Sequence, residues 1–330
     1  MTAFPHRYTR PTSVKDALDA AAGPGAMYLA GGTDLLPLWK ADVVAPDHVV
    51  DISRLALATI TSTENGLELG ALARLSDVAR DPQVLGKYGL IAHAIANSAS
   101  GQIRNMATVG GNLLQRTRCP YFRTADLPCN KREPRSGCGA LAGENRQAAL
   151  YGGSASCVAA HPSDLAVALA ALEAEIVIAG QSGERRVPLA DFYRLPTDAP
   201  EKDTTLGHGE LIKTVLVPDA ARFAGRSTFL KIRDRASFEF AVVSVAAALR
   251  LDAGTIVEAR LVAGAVAPMP WRLWASENEL IGKPANETTF AAAARAATSG
   301  AQPMAQNGFK VELLRRAVAR ALEDIGGRHD

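Results

Sequence analysis

The chain has 330 residues, of which 48% are hydrophobic, and 36 Lys+Arg against 34 Asp+Glu leave a net charge of +2. This length and apolar content supply a sizeable core in two or three units and exclude collagen-like, disordered and mini-protein architectures. The near-balanced charge gives no reason to expect a nucleic-acid or membrane-surface partner, and the apolar runs Leu165 to Leu172 and Phe240 to Leu249 are too short to span a bilayer.

The N-terminal stretch Met1 to Pro11 lacks the basic, apolar and small-residue regions of a secretory signal, so no export address is expected there. Thr12 or Ser13 can cap a helix running to Ala22, and Gly23-Pro24-Gly25 then turns the chain into a short apolar strand from Met27 to Ala30. A second strand, His48 to Ile52, completes a small βαβ unit. From residue 58 the pattern predicts a strand over Leu67 to Leu72 and helices over Leu75 to Arg80 and Leu90 to Ala99. Beyond residue 160, Ser163-Asp164 opens a helix from Leu165 to Glu173, followed by a strand from Ile176 to Ala179. The last third predicts strands over Ser227 to Arg233, Ala241 to Leu251 and Ile256 to Val266, the last two joined by Asp252-Ala253-Gly254-Thr255 as a hairpin. It closes with helices over Thr288 to Ala297 and Val311 to Ile325, the latter lined on one face by Leu313, Leu314, Ala317, Val318 and Leu322.

Two stretches share a design: Ala30-Gly31-Gly32-Thr33-Asp34 and Thr108-Val109-Gly110-Gly111-Asn112. Adjacent glycines allow positive φ, let backbone N–H groups converge on an anion, and let a pyrophosphate approach closely because no Cβ intervenes. One such pair alone is commonly only a turn. Tyr28 stands where a dinucleotide fingerprint needs its third glycine, and no glycine-Lys-Ser/Thr sequence occurs, so Rossmann and Walker sites are disfavoured.

All four cysteines, Cys119, Cys129, Cys138 and Cys157, fall inside one window. A disulfide framework, a structural zinc and an iron–sulfur cluster compete to explain them. A large chain with ample core has little need of disulfides, and no short Cys-x2-4-Cys knuckle of the usual zinc type is present. Four thiols on long loops suit a cubane cluster. Between residues 104 and 146, eight basic side chains face only Asp126, Glu133 and Glu144, an excess that would offset an anionic cluster and a pyrophosphate, or would form a solvated loop face.

Together these residues resemble the FAD-binding medium subunits of molybdenum hydroxylases, the xanthine dehydrogenase and carbon monoxide dehydrogenase group, over essentially the whole chain. The two glycine stretches look like that family's first and second FAD motifs, and Lys231 to Ala241 resembles a segment of its third unit. Cys119-Pro-Tyr-Phe-Arg123, Pro128-Cys129-Asn130-Lys131-Arg132, Ser136-Gly137-Cys138-Gly139-Ala140 and Gly153 to Cys157, followed by His161-Pro162-Ser163-Asp164, interrupt the family pattern with about forty residues. That insertion is similar to the 4Fe-4S-bearing flavin subunits of bacterial periplasmic aldehyde oxidoreductases.

The resemblance implies an α+β chain with the FAD-binding fold of the vanillyl-alcohol-oxidase and molybdenum-hydroxylase type, a two-part FAD domain followed by a C-terminal α+β domain. The units expected are 1–57, 58–219 with the cluster insertion at 115–160, and 220–330. It further implies that Ala26, Met27, Tyr28, Leu29, Ala30, Gly31, Gly32, Thr33 and Asp34 wrap the FAD pyrophosphate, with Thr108, Gly111 and Asn112 completing the nest. Ser98, Asp164, Ile212 and Lys231 are expected at the cofactor too: Asp164 on a cofactor hydroxyl, Lys231 by the isoalloxazine. Read alone, Asp164 would be a helix N-cap and Lys231 an exposed strand lysine. Cys119, Cys129, Cys138 and Cys157 would hold a 4Fe-4S cluster, with His161 able to line the cluster or FAD.

The implied role is electron transfer from a small 2Fe-2S subunit through FAD to an external acceptor, while a large molybdopterin subunit oxidises the aldehyde. No catalytic side chain is expected, because the redox cofactors carry the chemistry. The implied compartment is periplasmic if a signal-bearing partner exports the complex, and cytoplasmic otherwise. A self-contained FAD-dependent oxidase and a zinc-stabilised scaffold are the alternatives.

Overall fold

The computed structural model describes residues 7–327, so the part of the signal-free N-terminal reading that falls on residues 1–6 lies outside the described residues. Three sheets follow one another along the chain. The first is parallel and three-stranded, with β1 (Arg7–Thr9), β2 (Ala26–Leu29) and β3 (His48–Asp51) in the order β1-β3-β2. The helix Val14–Ala21 connects β1 to β2 and is capped by Ser13, whose hydroxyl accepts the N–H of Asp16. A shorter helix, Leu35–Lys40, returns the chain to β3.

The second sheet contains β4 (Ile60–Thr63), β5 (Gly66–Gly70), β6 (Glu175–Gly180), β7 (Gly183–Pro188) and β8 (Leu211–Pro218), all antiparallel in the order β4-β5-β8-β6-β7. Periodicity misses its edge strands β4 and β7 and also its central strand, β8. Half-buried Lys213 and Thr214 interrupt the alternation of Leu211-Ile212 with Val215 and Val217.

The third sheet contains β9 (Ser227–Ile232), β10 (Val243–Asp252), β11 (Thr255–Gly264) and β12 (Trp271–Arg272), in the order β12-β11-β10-β9. The predicted hairpin is present: Asp252 pairs with Thr255, and Ala253 and Gly254 both take positive φ, as a tight two-residue turn requires. The apolar run of β10 has two destinations. Val243, Val245, Ala247 and Leu249 pack under the helices Glu287–Ala296 and Phe309–Gly326, while Ala246 and Ala248 face the core of the second unit. The helix Asp164–Ala171 fills that opposite face and also packs on the helix Gly89–Ala96, so it is apolar all round. Its cap is Ser163, which accepts the N–H of Ala166, so Asp164 is free for another role.

Residues 115–160 contain little regular structure beyond the short helix Pro120–Arg123 and a single 3-10 turn at Gly139–Leu141. The insertion is pinned to the C-terminal unit: Leu150 and Tyr151 both donate to the carbonyl of Val266, and buried Lys310 donates to the carbonyls of Ala148 and Ala265. Among the described residues, no helix is long and apolar enough to cross a membrane.

Candidate functional site

A cleft of two joined lobes runs between the units. The first lobe is walled by the chain from Ala26 to Leu35, by Thr108, Gly110 and Gly111, and by β8 with its preceding loop, including Ile212. Within Ala26 to Asp34, Leu29 alone does not line it. The Tyr28 phenol donates to the carbonyl of Gly209 at 2.7 Å, which ties β2 to the far wall.

The two glycine pairs differ in what they offer. Gly32 is left-handed, with φ +72°, and a Cβ on Gly31 would stand 1.9 Å from the carbonyl oxygen of Met106. Among the described residues, no hydrogen bond takes up the N–H groups of Gly31, Gly32, Thr33, Asp34 or Leu35, so this loop presents a row of free donors. The second pair differs from the expected nest. It opens the helix Val109–Leu113, and its N–H groups are occupied: Gly110 donates to Ala71 and Gly111 to the Thr108 hydroxyl. Neither glycine there needs positive φ. A Cβ on Gly110 would press on Ala71, whereas one on Gly111 would approach nothing but Thr108 Oγ1, so Gly111 alone contributes open space and neither contributes a free donor.

The second lobe meets the first at Thr33, Asp34 and Gly111. It brings together three predicted residues that lie far apart in sequence. Lys231 Nζ donates to Asp164 Oδ2 at 2.8 Å, Ser98 Oγ lies 3.0 Å from the same oxygen, and Lys231 also donates to the carbonyl of Asn97. Lys231 is only 1% exposed along its side chain, so it is not a surface lysine. Burial raises the pKa of the Asp164 carboxyl, with the Lys231 ammonium and the Ser98 hydroxyl opposing. Asn112 lines this lobe and accepts from the Ser163 hydroxyl at 2.6 Å. Joined end to end through Thr33, Asp34 and Gly111, the two lobes form an elongated cleft that suits an extended ligand.

All four cysteines line one separate small cavity, with Lys131 on its wall. The thiols are free, and Cys129 and Cys138 face each other across an isolated antiparallel bridge. Burial pushes the Cys157 thiol up to about 11, with Lys131 opposing, and also raises Cys119. Without a metal these two sulfurs stay protonated at neutral pH. Among the described residues, no three His, Cys, Asp or Glu side chains are gathered closely enough to hold a metal ion. A cubane binds each thiolate to a different iron, so its ligands stand apart around an enclosed space.

Three hydroxyls that sequence reasoning missed fix this loop. The N–H groups of Cys119, Cys129 and Cys157 are accepted by Thr117, Ser136 and Ser154 at 3.3, 3.0 and 3.2 Å. Thr117 and Ser154 stand two and three residues before their cysteines, a local Ser/Thr-turn signal, whereas Ser136 is seven residues beyond Cys129 and only the fold brings it there. His161 does not face the thiols. It is buried edge-on against Tyr193, and burial lowers its pKa to about 4.

The expected surplus of positive charge is largely consumed by carboxylates outside the window. Asp34 takes Arg118 and Arg123, Asp203 takes Arg116 and Lys131, and Asp234 takes Arg146. Arg132 donates to the carbonyls of Tyr121, Phe122, Ala125 and Leu127. These charges fold the insertion onto its surroundings, so a count restricted to residues 104–146 overstates the free field.

Comparison with known proteins shows the family. The family described as the FAD binding domain in molybdopterin dehydrogenase matches residues 3–220, and the CO dehydrogenase flavoprotein C-terminal domain matches residues 228–325. The aldehyde oxidoreductase FAD-binding subunit PaoB of Escherichia coli strain K12 is 43% identical over 95% of both chains. The glyceraldehyde dehydrogenase medium chain of Sulfolobus acidocaldarius is 29% identical, covering 85% of this chain and 82% of that one. Among solved structures, carbon monoxide dehydrogenase from Hydrogenophaga pseudoflava superposes with a TM-score of 0.78 at 25% identity over all of both chains. Quinoline 2-oxidoreductase from Pseudomonas putida 86 gives 0.76 at 25% identity, over 98% of this chain and 97% of that one.

Proposed function

Because this chain belongs to the FAD-binding medium subunits of molybdenum hydroxylases, we propose that it is the electron-transfer subunit of an aldehyde oxidoreductase, carrying FAD in the two-lobed cleft and a 4Fe-4S cluster on Cys119, Cys129, Cys138 and Cys157. Its partners are a small 2Fe-2S subunit and a large molybdopterin subunit on which the aldehyde is oxidised, and an external acceptor receives the electrons. The observation that carries this reading is the adjacency of a donor-lined, two-lobed cleft to a cavity ringed by four free thiols.

Bound FAD supplies the exchange between one-electron and two-electron transfers. The free N–H groups from Gly31 to Leu35 suit the pyrophosphate, and the missing Cβ of Gly111 leaves room beside it. In the second lobe, Lys231 and Asp164 neutralise each other, so a donor and an acceptor are presented to a polar ring edge without an unpaired buried charge. A 4Fe-4S cluster supplies a one-electron redox centre. The chain's part there is to hold the four sulfurs apart, to dock Lys131 beside them and to keep water out with Phe122 and Ala140.

The absorption spectrum and the iron content of the purified chain test this. Flavin bands with a broad shoulder near roughly 400 nm, bleached by dithionite, are expected for a chain holding both groups. Flavin bands without iron would remove the cluster from the reading. Cys129→Ser should lose most iron while FAD still binds at saturating concentration. Aldehyde turnover by the isolated chain would overturn the partner-dependent role in favour of a self-contained oxidase.

A further inference from the structure

Asp34 closes the first glycine loop, yet its carboxylate is turned away from the free N–H row and into the cysteine insertion. Oδ1 accepts from Arg118 Nη1 at 2.7 Å and from Arg123 Nη2 at 2.9 Å, while Oδ2 accepts from the backbone N–H of Arg116 at 2.8 Å. All three donors belong to one eight-residue stretch, with Cys119 between the two arginines. Although Asp34 immediately precedes the helix Leu35–Lys40, its side chain makes no capping bond to it. The carboxylate is 14% exposed and the arginines 29% and 19%, so this is a partly buried clasp and not a surface pair.

A second contact joins the same two segments. Leu38, one turn beyond Asp34, packs with Val43 against Phe122 and Cys129, and half-buried Val44 and Cys119 complete the cluster. Arg116 and Arg123 lie over the Phe122 ring at 4.7 and 5.8 Å. The helix that follows the glycine loop therefore touches two of the four cysteines. Asp203 provides an internal contrast: it straps the same insertion through Arg116 and Lys131 without touching the glycine loop.

We infer that Asp34 is a positioning residue that couples the two cofactor sites, so that FAD on the glycine loop and the cluster on the cysteine loop each strengthen binding of the other. This rests on the cluster reading proposed above. The N–H groups from Gly31 to Leu35 must be held in convergence before an anion can use them, and that ordering opposes binding. With its side chain anchored in residues 116–123, Asp34 shares that ordering between both sites. A ligand that fixes one segment removes part of the opposing entropy at the other, and the effect is reciprocal.

The test titrates FAD into the full chain in its native assembly after flavin removal, reading flavin fluorescence with iron loaded and after chelation. Chelation should weaken FAD binding on the order of tenfold in the wild type. Asp34→Asn and the double variant Arg118→Gln/Arg123→Gln should erase that difference, while Asp203→Asn should retain it. A wild-type affinity that ignores chelation overturns the coupling, as does a difference that survives Asp34→Asn in a folded protein. Limited proteolysis of the iron-free chain gives a reading that needs no cluster. FAD should slow cleavage within residues 115–160 in the wild type and not in Asp34→Asn, and equal cleavage with and without FAD in the wild type also sinks the proposal. If the chain takes up no iron, the cluster reading fails by itself, and the proteolysis still decides the clasp.

Discussion

The two lobes of the cleft meet at Thr33, Asp34 and Gly111 but are built from different material. The first is a backbone surface of free N–H groups and missing Cβ atoms, anchored from outside by the Asp34 carboxylate. The second is a side-chain surface, in which Ser98, Asp164 and Lys231 come from three distant places and satisfy one another. Backbone sites tolerate changes of charge and fail on changes of volume, whereas buried side-chain sites do the reverse.

Five substitutions sharpen that contrast, starting with the largest effect. Lys231→Met leaves Asp164 buried without its cation, and unfolding by denaturant should show a loss of about 3–5 kcal/mol. An unchanged midpoint would mean that the second lobe does not depend on its ion pair. In the backbone lobe, Gly31→Ala drives a Cβ into the Met106 carbonyl and should cost about 1–3 kcal/mol or more. Gly111→Ala, by contrast, presses only on the flexible Thr108 hydroxyl and should cost no more than about 1 kcal/mol of stability, while FAD affinity falls roughly tenfold, about 1.4 kcal/mol, because the space is filled.

Acid should distinguish the lobes as well. His161, buried behind the second lobe, has its pKa lowered from 6.5 to about 4. The unfolded chain therefore binds a proton that the folded chain refuses in this window, so stability is full above pH 6.5 and falls as pH drops towards 4. The slope from this group is at most about 1.4 kcal/mol per pH unit, and His161→Gln should flatten it in a denaturation series. The smallest effect is expected from Thr108→Val, which removes the acceptor for the Gly111 N–H and should cost about 1 kcal/mol by thermal unfolding. A value near zero would show that the second glycine pair does not need its cap.

Much of the fold was legible because its signals are local. Ser13, Ser163 and the Asp252–Thr255 turn mark element boundaries through chemistry confined to a few residues. β8 was not legible because Lys213 and Thr214 break the period of a central strand, and the short helix carrying Gly110-Gly111 was hidden behind a motif that reads as a loop. At the site, Asp164 and Lys231 each looked ordinary in isolation. Only their 2.8 Å contact explains why a helix-terminal acid and a strand lysine are both buried.

By itself, the sequence determined which residue types are available to the two sites: paired glycines after a strand, and four cysteines confined to one window of an otherwise cysteine-free chain. These are properties of composition and spacing, which survive without coordinates. Tertiary structure alone decided how they are used. Whether a glycine offers its N–H or only its missing side chain depends on φ and on which carbonyl lies opposite. Whether an arginine near a cysteine faces a cluster, solvent or Asp34 depends on a carboxylate more than eighty residues away. Folding makes such neighbours by closing long loops, and nothing in the local chain records which carboxylate will arrive.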